Sequence, residues 1–145
     1  MKKLNFYAIV AGAAADMFGT LMVTLAISVV AQGKLLAQGV PEDEIGTRLS
    51  QDLSLLVWSV ALGLVASTGG GVVAARVAKF RELTHGASAG AVGLVLSTIS
   101  AVMSPSNLPT WYVITGYGLV VPAAALGGWI GKLWNDRTGR GEPQT

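Results

Sequence analysis

From Leu83 to Gly131 the chain contains no Asp, Glu, Lys or Arg, and the segment between Asp52 and Arg76 is a second run of 23 uncharged residues. About 20 apolar residues, rising ~1.5 Å each, cross the ~30 Å hydrocarbon core of a bilayer. Such long uncharged stretches therefore read as membrane helices rather than buried strands. Bulk composition agrees: 12% of the residues are charged and 52% are hydrophobic, whereas a soluble domain carries roughly 25% charge.

Four spans follow, at about 4–31, 53–75, 86–103 and 111–133, in a single membrane domain covering 1–145. Ser104-Pro105-Ser106-Asn107-Leu108-Pro109 separates the last two, because proline and Asn disfavour helix continuation. Between the first two spans, Pro41 precedes Glu42, Asp43 and Glu44, with Ile45, Leu49 and Leu53 at i, i+4, i+8. Acids favour the positive end of a helix dipole, so a short amphipathic helix is expected at about 41–52. The pattern leaves open whether it runs on into the second span.

The bases set an orientation. With the N-terminus inside, Lys2, Lys3, Arg76, Lys79, Arg81, Lys132, Arg137 and Arg140 fall on one side, and only Lys34 and Arg48 on the other. The positive-inside rule then places both termini in the cytoplasm. Tyr7 and Trp134 suit the inner interface, Trp111 and Tyr112 the outer one. Lys2 and Lys3 before an apolar run resemble a signal peptide. That run is too long for one and is interrupted by Asp16, so it reads as a retained first helix.

Composition also excludes. There is no cysteine, hence no disulfide or thiolate metal site, and the single His85 cannot form a His cluster. No metal or cofactor is expected. A net charge of +2 is too small to point to nucleic acid. No nucleophile–base pair appears, so an enzyme is not expected.

Asp16 is the one chemical handle. It lies alone in the apolar run from Leu4 to Ala31, and a charge at the centre of a membrane helix costs ~2.5–3.5 kcal/mol on insertion scales. Gly12, Asp16, Gly19 and Val23 share a helical face on which small residues admit another backbone. Asp16 thus points into the bundle or a subunit interface. No intramembrane base can pair with it, which leaves the hydroxyls of Ser67, Thr68, Ser97, Thr98, Thr115 and Tyr117. Two roles are open: a carboxyl that binds a proton or cation in a transport cycle, or a neutral hydrogen-bonding pin between helices.

Small residues recur in the other spans: Gly63, Ser67, Gly70 and Gly71; Gly86, Gly90, Gly93 and Ser97; Gly116, Ala123, Ala124, Gly127, Gly128 and Gly131. Such faces predict tight packing and self-association, or packing with a membrane partner. Gly70-Gly71-Val72-Val73-Ala74-Ala75-Arg76 and Gly127-Gly128-Trp129-Ile130-Gly131-Lys132 end alike, as tandem duplicated hairpins would. Gly69-Gly70-Gly71 is no phosphate loop, since it lacks the Gly-Lys-Ser/Thr ending and lies at membrane depth. Thr115-Gly116-Tyr117-Gly118 differs from a potassium-channel filter in its Thr spacing, and the four residues between Pro109 and Ile114 leave no room for a pore helix. Pro122 is expected to kink the fourth span. Arg76, Lys79 and Arg81 form a basic loop suited to lipid headgroups, beside a His85 expected to be solvated.

Two resemblances add to this. From the paired glycines at Gly70 and Gly71 through Ala-Ala-Arg, a short basic loop and Leu-Thr-His-Gly, the chain resembles uncharacterised small four-helix bacterial inner-membrane proteins. In these, an Asp followed by Gly-Thr also recurs in the first helix. That implies fold and location, not activity. Ala15-Asp16-Met17-Phe18-Gly19-Thr20 is similar to the first helix of small multidrug resistance transporters, whose carboxylate exchanges protons for cationic drugs. Only Asp16 carries over. This chain has Asp for the family's Glu, a longer acidic first loop and no matching aromatic motif.

The expectation is an all-α bundle of four transmembrane helices in the bacterial inner membrane, oligomeric or complexed with a membrane partner. Its expected role is non-enzymatic: structural, assembly or accessory. The alternative is a proton-coupled exporter of small molecules or cations using Asp16.

Overall fold

A computed structural model describes residues 4–103 and 108–139. Within them the chain forms α1 (Phe6–Ala37), α2 (Glu42–Gln51), α3 (Leu53–Ala78), α4 (Glu82–Met103) and α5 (Thr110–Arg137). α1, α3, α4 and α5 are long and apolar enough to cross a membrane. Pro105 and Asn107 of the α4–α5 connection lie in 104–107, outside the described residues, and Pro109 stands immediately before α5.

The helix ends follow local chemistry. Asn5 caps α1 by accepting from the Ala8 N–H at 3.4 Å. α1 runs six residues past the expected Ala31, because Gln32, Lys34, Leu35, Leu36 and Ala37 are good helix formers that outweigh Gly33. It stops where Gly39 takes a left-handed φ of +77° and Val40 N–H reaches back to the Leu35 carbonyl, the hydrogen-bond pattern of a Schellman end. Pro41 then starts α2, whose first turn holds Glu42, Asp43 and Glu44. α2 is not continuous with α3. Asp52 is extended (φ −73°, ψ 103°) and its side chain caps α3 through the Leu55 N–H at 3.1 Å. α3 ends at Lys79 in the left-handed region, and after Phe80 the left-handed Arg81 turns the chain into α4.

α4 begins at Glu82, a turn before the expected Gly86. Pro122 sits inside an α5 that is assigned as one helix throughout. α3 is central: it packs on α1, α4 and α5, while among the described residues α1 and α5 share no contact.

The core is built from small side chains. Among the described residues, nine of the twelve buried apolar residues are Ala, and His85 is the only large side chain that is fully buried. Phe18, Leu25, Trp58, Val65, Ile114 and Trp129 point outward. A soluble protein would place that apolar area inside. Here it faces outward, as it does on helices solvated by lipid.

The closest approaches fall at glycines. A Cβ on Gly71 would strike the Ala124 carbonyl, and one on Gly127 the Thr68 carbonyl. A Cβ on Gly86 would lie 2.6 Å from the Ala124 oxygen, one on Gly90 2.6 Å from the Ala124 Cβ, and one on Gly128 2.7 Å from the Glu82 carbonyl oxygen. Gly63 differs from the expectation. Nothing lies within 4 Å of where its Cβ would be, so it marks no close helix contact.

Candidate functional site

Asp16 is buried, with 5% of its surface exposed. Its Oδ1 accepts a hydrogen bond from Ser67 Oγ on α3 at 2.9 Å and from Thr20 Oγ1 one turn further along α1 at 3.4 Å. The notch holding it is made by glycines. A Cβ on Gly70 would lie 2.7 Å from the Asp16 Cβ, and one on Gly93 of α4 would lie 2.9 Å from Oδ2. Gly12, one turn before Asp16, meets the Gly70 carbonyl and Ala74, and Gly19, one turn after, meets Ala66. The carboxyl therefore joins three helices, α1, α3 and α4.

Of the six hydroxyls expected as partners, the structure brings in Ser67. Thr68 and Thr98 instead donate to carbonyls of their own helices, Leu64 and Leu94. Tyr117 Oη donates to the Ser97 carbonyl at 3.3 Å, linking α5 to α4. Thr20 escaped the sequence reading, although a hydroxyl at i+4 from a carboxyl lies within local reach. Both donors serve Oδ1, which leaves Oδ2 facing Gly93. No base is among the hydrogen-bond partners of Asp16.

A second polar cluster lies at the end of the bundle that carries residues 4 and 139. His85 is not solvated; it is completely buried. Its Nε2 accepts from the Asn5 backbone N–H at 2.9 Å, so that nitrogen carries no proton in this arrangement. Nδ1–H then donates to the Arg81 carbonyl at 3.0 Å. Phe80 packs edge-on against the ring at 5.1 Å.

Glu82, 3% exposed, accepts at Oε1 from Asn135 Nδ2 at 3.4 Å. The same amide donates to the Ala75 carbonyl at 3.2 Å, and Glu82 Oε2 has no hydrogen-bond partner. The cluster ties the start of α1, the α3–α4 turn and the end of α5 together. The signal for it was present: Glu82, His85 (or Gly86), Ala89 and Gly93 continue the small face of α4 backwards, and Gly128, Gly131 and Asn135 extend that of α5.

The basic loop is exposed at Arg76, Lys79 and Arg81. Arg76 is already engaged, with its guanidinium 4.4 Å from the centre of the Trp134 ring, a cation–π contact. Among the described residues no group of three or more His, Cys, Asp or Glu is placed to hold a metal ion.

The architecture defined to this point is a helical bundle with four helices long and apolar enough to cross a membrane and one buried carboxyl of α1 joined to a hydroxyl of α3. No protein-family model, curated protein or solved structure matches the chain.

Proposed function

We propose that this chain is a non-enzymatic multi-pass protein of the bacterial inner membrane, a structural, assembly or accessory subunit that self-associates or packs with a membrane partner. One observation carries the reading: Asp16, the only acidic residue of α1, is enclosed by Gly70 and Gly93 and hydrogen-bonded to Ser67. An enclosed, hydroxyl-bonded carboxyl suits a pin between helices. An exporter needs water at that carboxyl, and the groove bounded by α1, α2 and α3 has Ala26 and Leu62 as its lining residues nearest Asp16 in α1 and α3. The outward apolar side chains and the Ala/Gly core leave surface for lipid or a partner helix.

Both termini are cytoplasmic in this reading, supported by eight bases against two. A tandem hairpin origin draws support from the α3–α5 seam, where Gly71 opposes Ala124 and Gly127 opposes Thr68 with the same three-residue offset. The likeness stops there: α3 touches α4, but α1 does not touch α5.

The test is reconstitution. Purified protein should sediment in mild detergent as more than one chain or with a companion subunit. Proteoliposomes should show no efflux of a cationic dye driven by a pH gradient. A dye flux present in the native protein and abolished by Asp16→Asn would replace this reading with the exporter.

A further inference from the structure

The last turns of α1, the helix α2 and the first turns of α3 enclose a groove of about 890 Å³, within the ~300–1,000 Å³ span of small-molecule sites. It lies at the end of the bundle opposite the termini. Ala26 and Val30 of α1 and Trp58 and Leu62 of α3 form its apolar walls, and Lys34 and Arg48 stand at its mouth.

Depth can be read from helix geometry. Gly19 packs against Ala66, and these positions lie near the centres of the low-charge stretches 4–33 and 53–75, hence near the membrane midplane. At ~1.5 Å per residue, Leu62 and Ala26 lie roughly 6 and 10 Å from that level, Trp58 about 12 Å, and Lys34 about 22 Å. The hydrocarbon ends at about 15 Å and the headgroup layer at about 20–22 Å. The groove thus runs from acyl-chain depth to phosphate depth, with an ammonium at its polar end.

The charges at the mouth are not equivalent. Arg48 is paired with Glu44 at 2.9 Å, and the Asp52 carboxylate caps α3. Lys34 has no ion pair or hydrogen bond from its side chain among the described residues. Lys34 and Arg48 are the only bases between Lys3 and Arg76, and both line this one groove. This end is poor in bases and also carries Glu42, Asp43, Glu44 and Asp52, so two bases there run against the positive-inside bias, and their convergence on one apolar cleft calls for a ligand.

We propose that this groove binds one glycerophospholipid with an anionic headgroup. Lys34 holds the phosphate, Arg48 borders it, and an acyl chain lies along Ala26, Trp58 and Leu62. The assignment rests on the helices spanning a membrane and is independent of whether Asp16 serves assembly or export.

Native mass spectrometry of the full chain in mild detergent tests it, using phosphatidylglycerol and phosphatidylcholine with the same acyl chains. The native protein should retain one phosphatidylglycerol at least fivefold more than phosphatidylcholine. Lys34→Gln should bring the two to parity with helical circular dichroism unchanged, whereas Arg137→Gln, in the exposed last turn of α5 at the opposite end, should leave the preference intact. Trp58→Ala should lower retention of both lipids. Equal retention of the two lipids by the native protein would overturn the proposal, as would a preference that survives Lys34→Gln. So would displacement of the lipid by inorganic phosphate alone, or a dimer that buries Trp58 and carries no lipid.

Discussion

Asp16 and Glu82 are both buried carboxyl side chains without a base among their hydrogen-bond partners, and they are satisfied to different degrees. Asp16 receives two hydroxyl donors on one oxygen. Glu82 receives a single long bond from Asn135, and its other oxygen receives none. Losing a donor matters most where nothing replaces it, because an unpaired buried polar group costs ~1–3 kcal/mol. Interhelical hydrogen bonds inside membranes average only ~0.6 kcal/mol and reach ~1.7. Ser67→Ala, which leaves Thr20 in place, should therefore destabilise by about 1 kcal/mol. Asn135→Ala, which leaves Glu82 with no donor while the Ala75 carbonyl keeps the Lys79 N–H, should cost about 2 kcal/mol. Thermal unfolding midpoints in one detergent would rank the two, and a larger drop for Ser67→Ala would refute this ordering. His85 belongs to the same cluster: because Nε2 is an acceptor there, its side chain pins the start of α1 by a bond to main chain, not to another side chain.

Among the elements, α3 carries the fold through seams of glycine, and the value of each glycine depends on what stands opposite. Gly127 faces the Thr68 carbonyl, which is backbone and cannot rotate away, whereas Gly63 faces open space. The same substitution should then have opposite signs. Gly127→Ala should destabilise by ~1–3 kcal/mol through overpacking. Gly63→Ala should be neutral, or stabilise by up to ~1 kcal/mol, through reduced backbone freedom. Denaturation of both variants in mixed micelles would check this, and a shared sign would refute it. These two glycines also mark how far the sequence could be read. Small-residue spacing identifies a face able to pack, and it placed Gly12, Gly70 and Gly93 where α1, α3 and α4 meet. It does not say which face finds a neighbour, so Gly63 looked equivalent. The ends of the spans were harder. Glu82 and His85 are polar residues at the edge of an apolar run, where water is the default partner, yet the tight turn through Lys79 and Arg81 folds them inward. Asp16 was legible for the opposite reason: it lies far from either end of its apolar run, with no other charge near it in sequence.

For the whole molecule, an even number of spans puts residues 5 and 135 at one end, where they bond to His85 and Glu82 of the same turn, and puts α2 at the other. The proposed orientation rests on charge. Eight bases accompany the termini and the α3–α4 turn, and two lie at the α2 end, a bias that on the positive-inside rule favours a cytoplasmic terminal end. The chain has no cysteine, so a single introduced thiol reports its own side without a background. Ser50 on α2 and Gly139 after α5 are suitable positions. Ser50 donates only to the Thr47 carbonyl within its own helix, and a Cβ at Gly139 would meet nothing within 4 Å. Gly139 has a positive φ of 63°, but it lies beyond the last helix, where a strained replacement disturbs no packing. In intact cells a membrane-impermeant maleimide should label Ser50→Cys at once, and Gly139→Cys only after the membrane is opened. Labelling of Gly139→Cys in intact cells with Ser50→Cys protected would invert the orientation. Labelling of both from outside would mean that the number of crossings is odd, which four spans forbid.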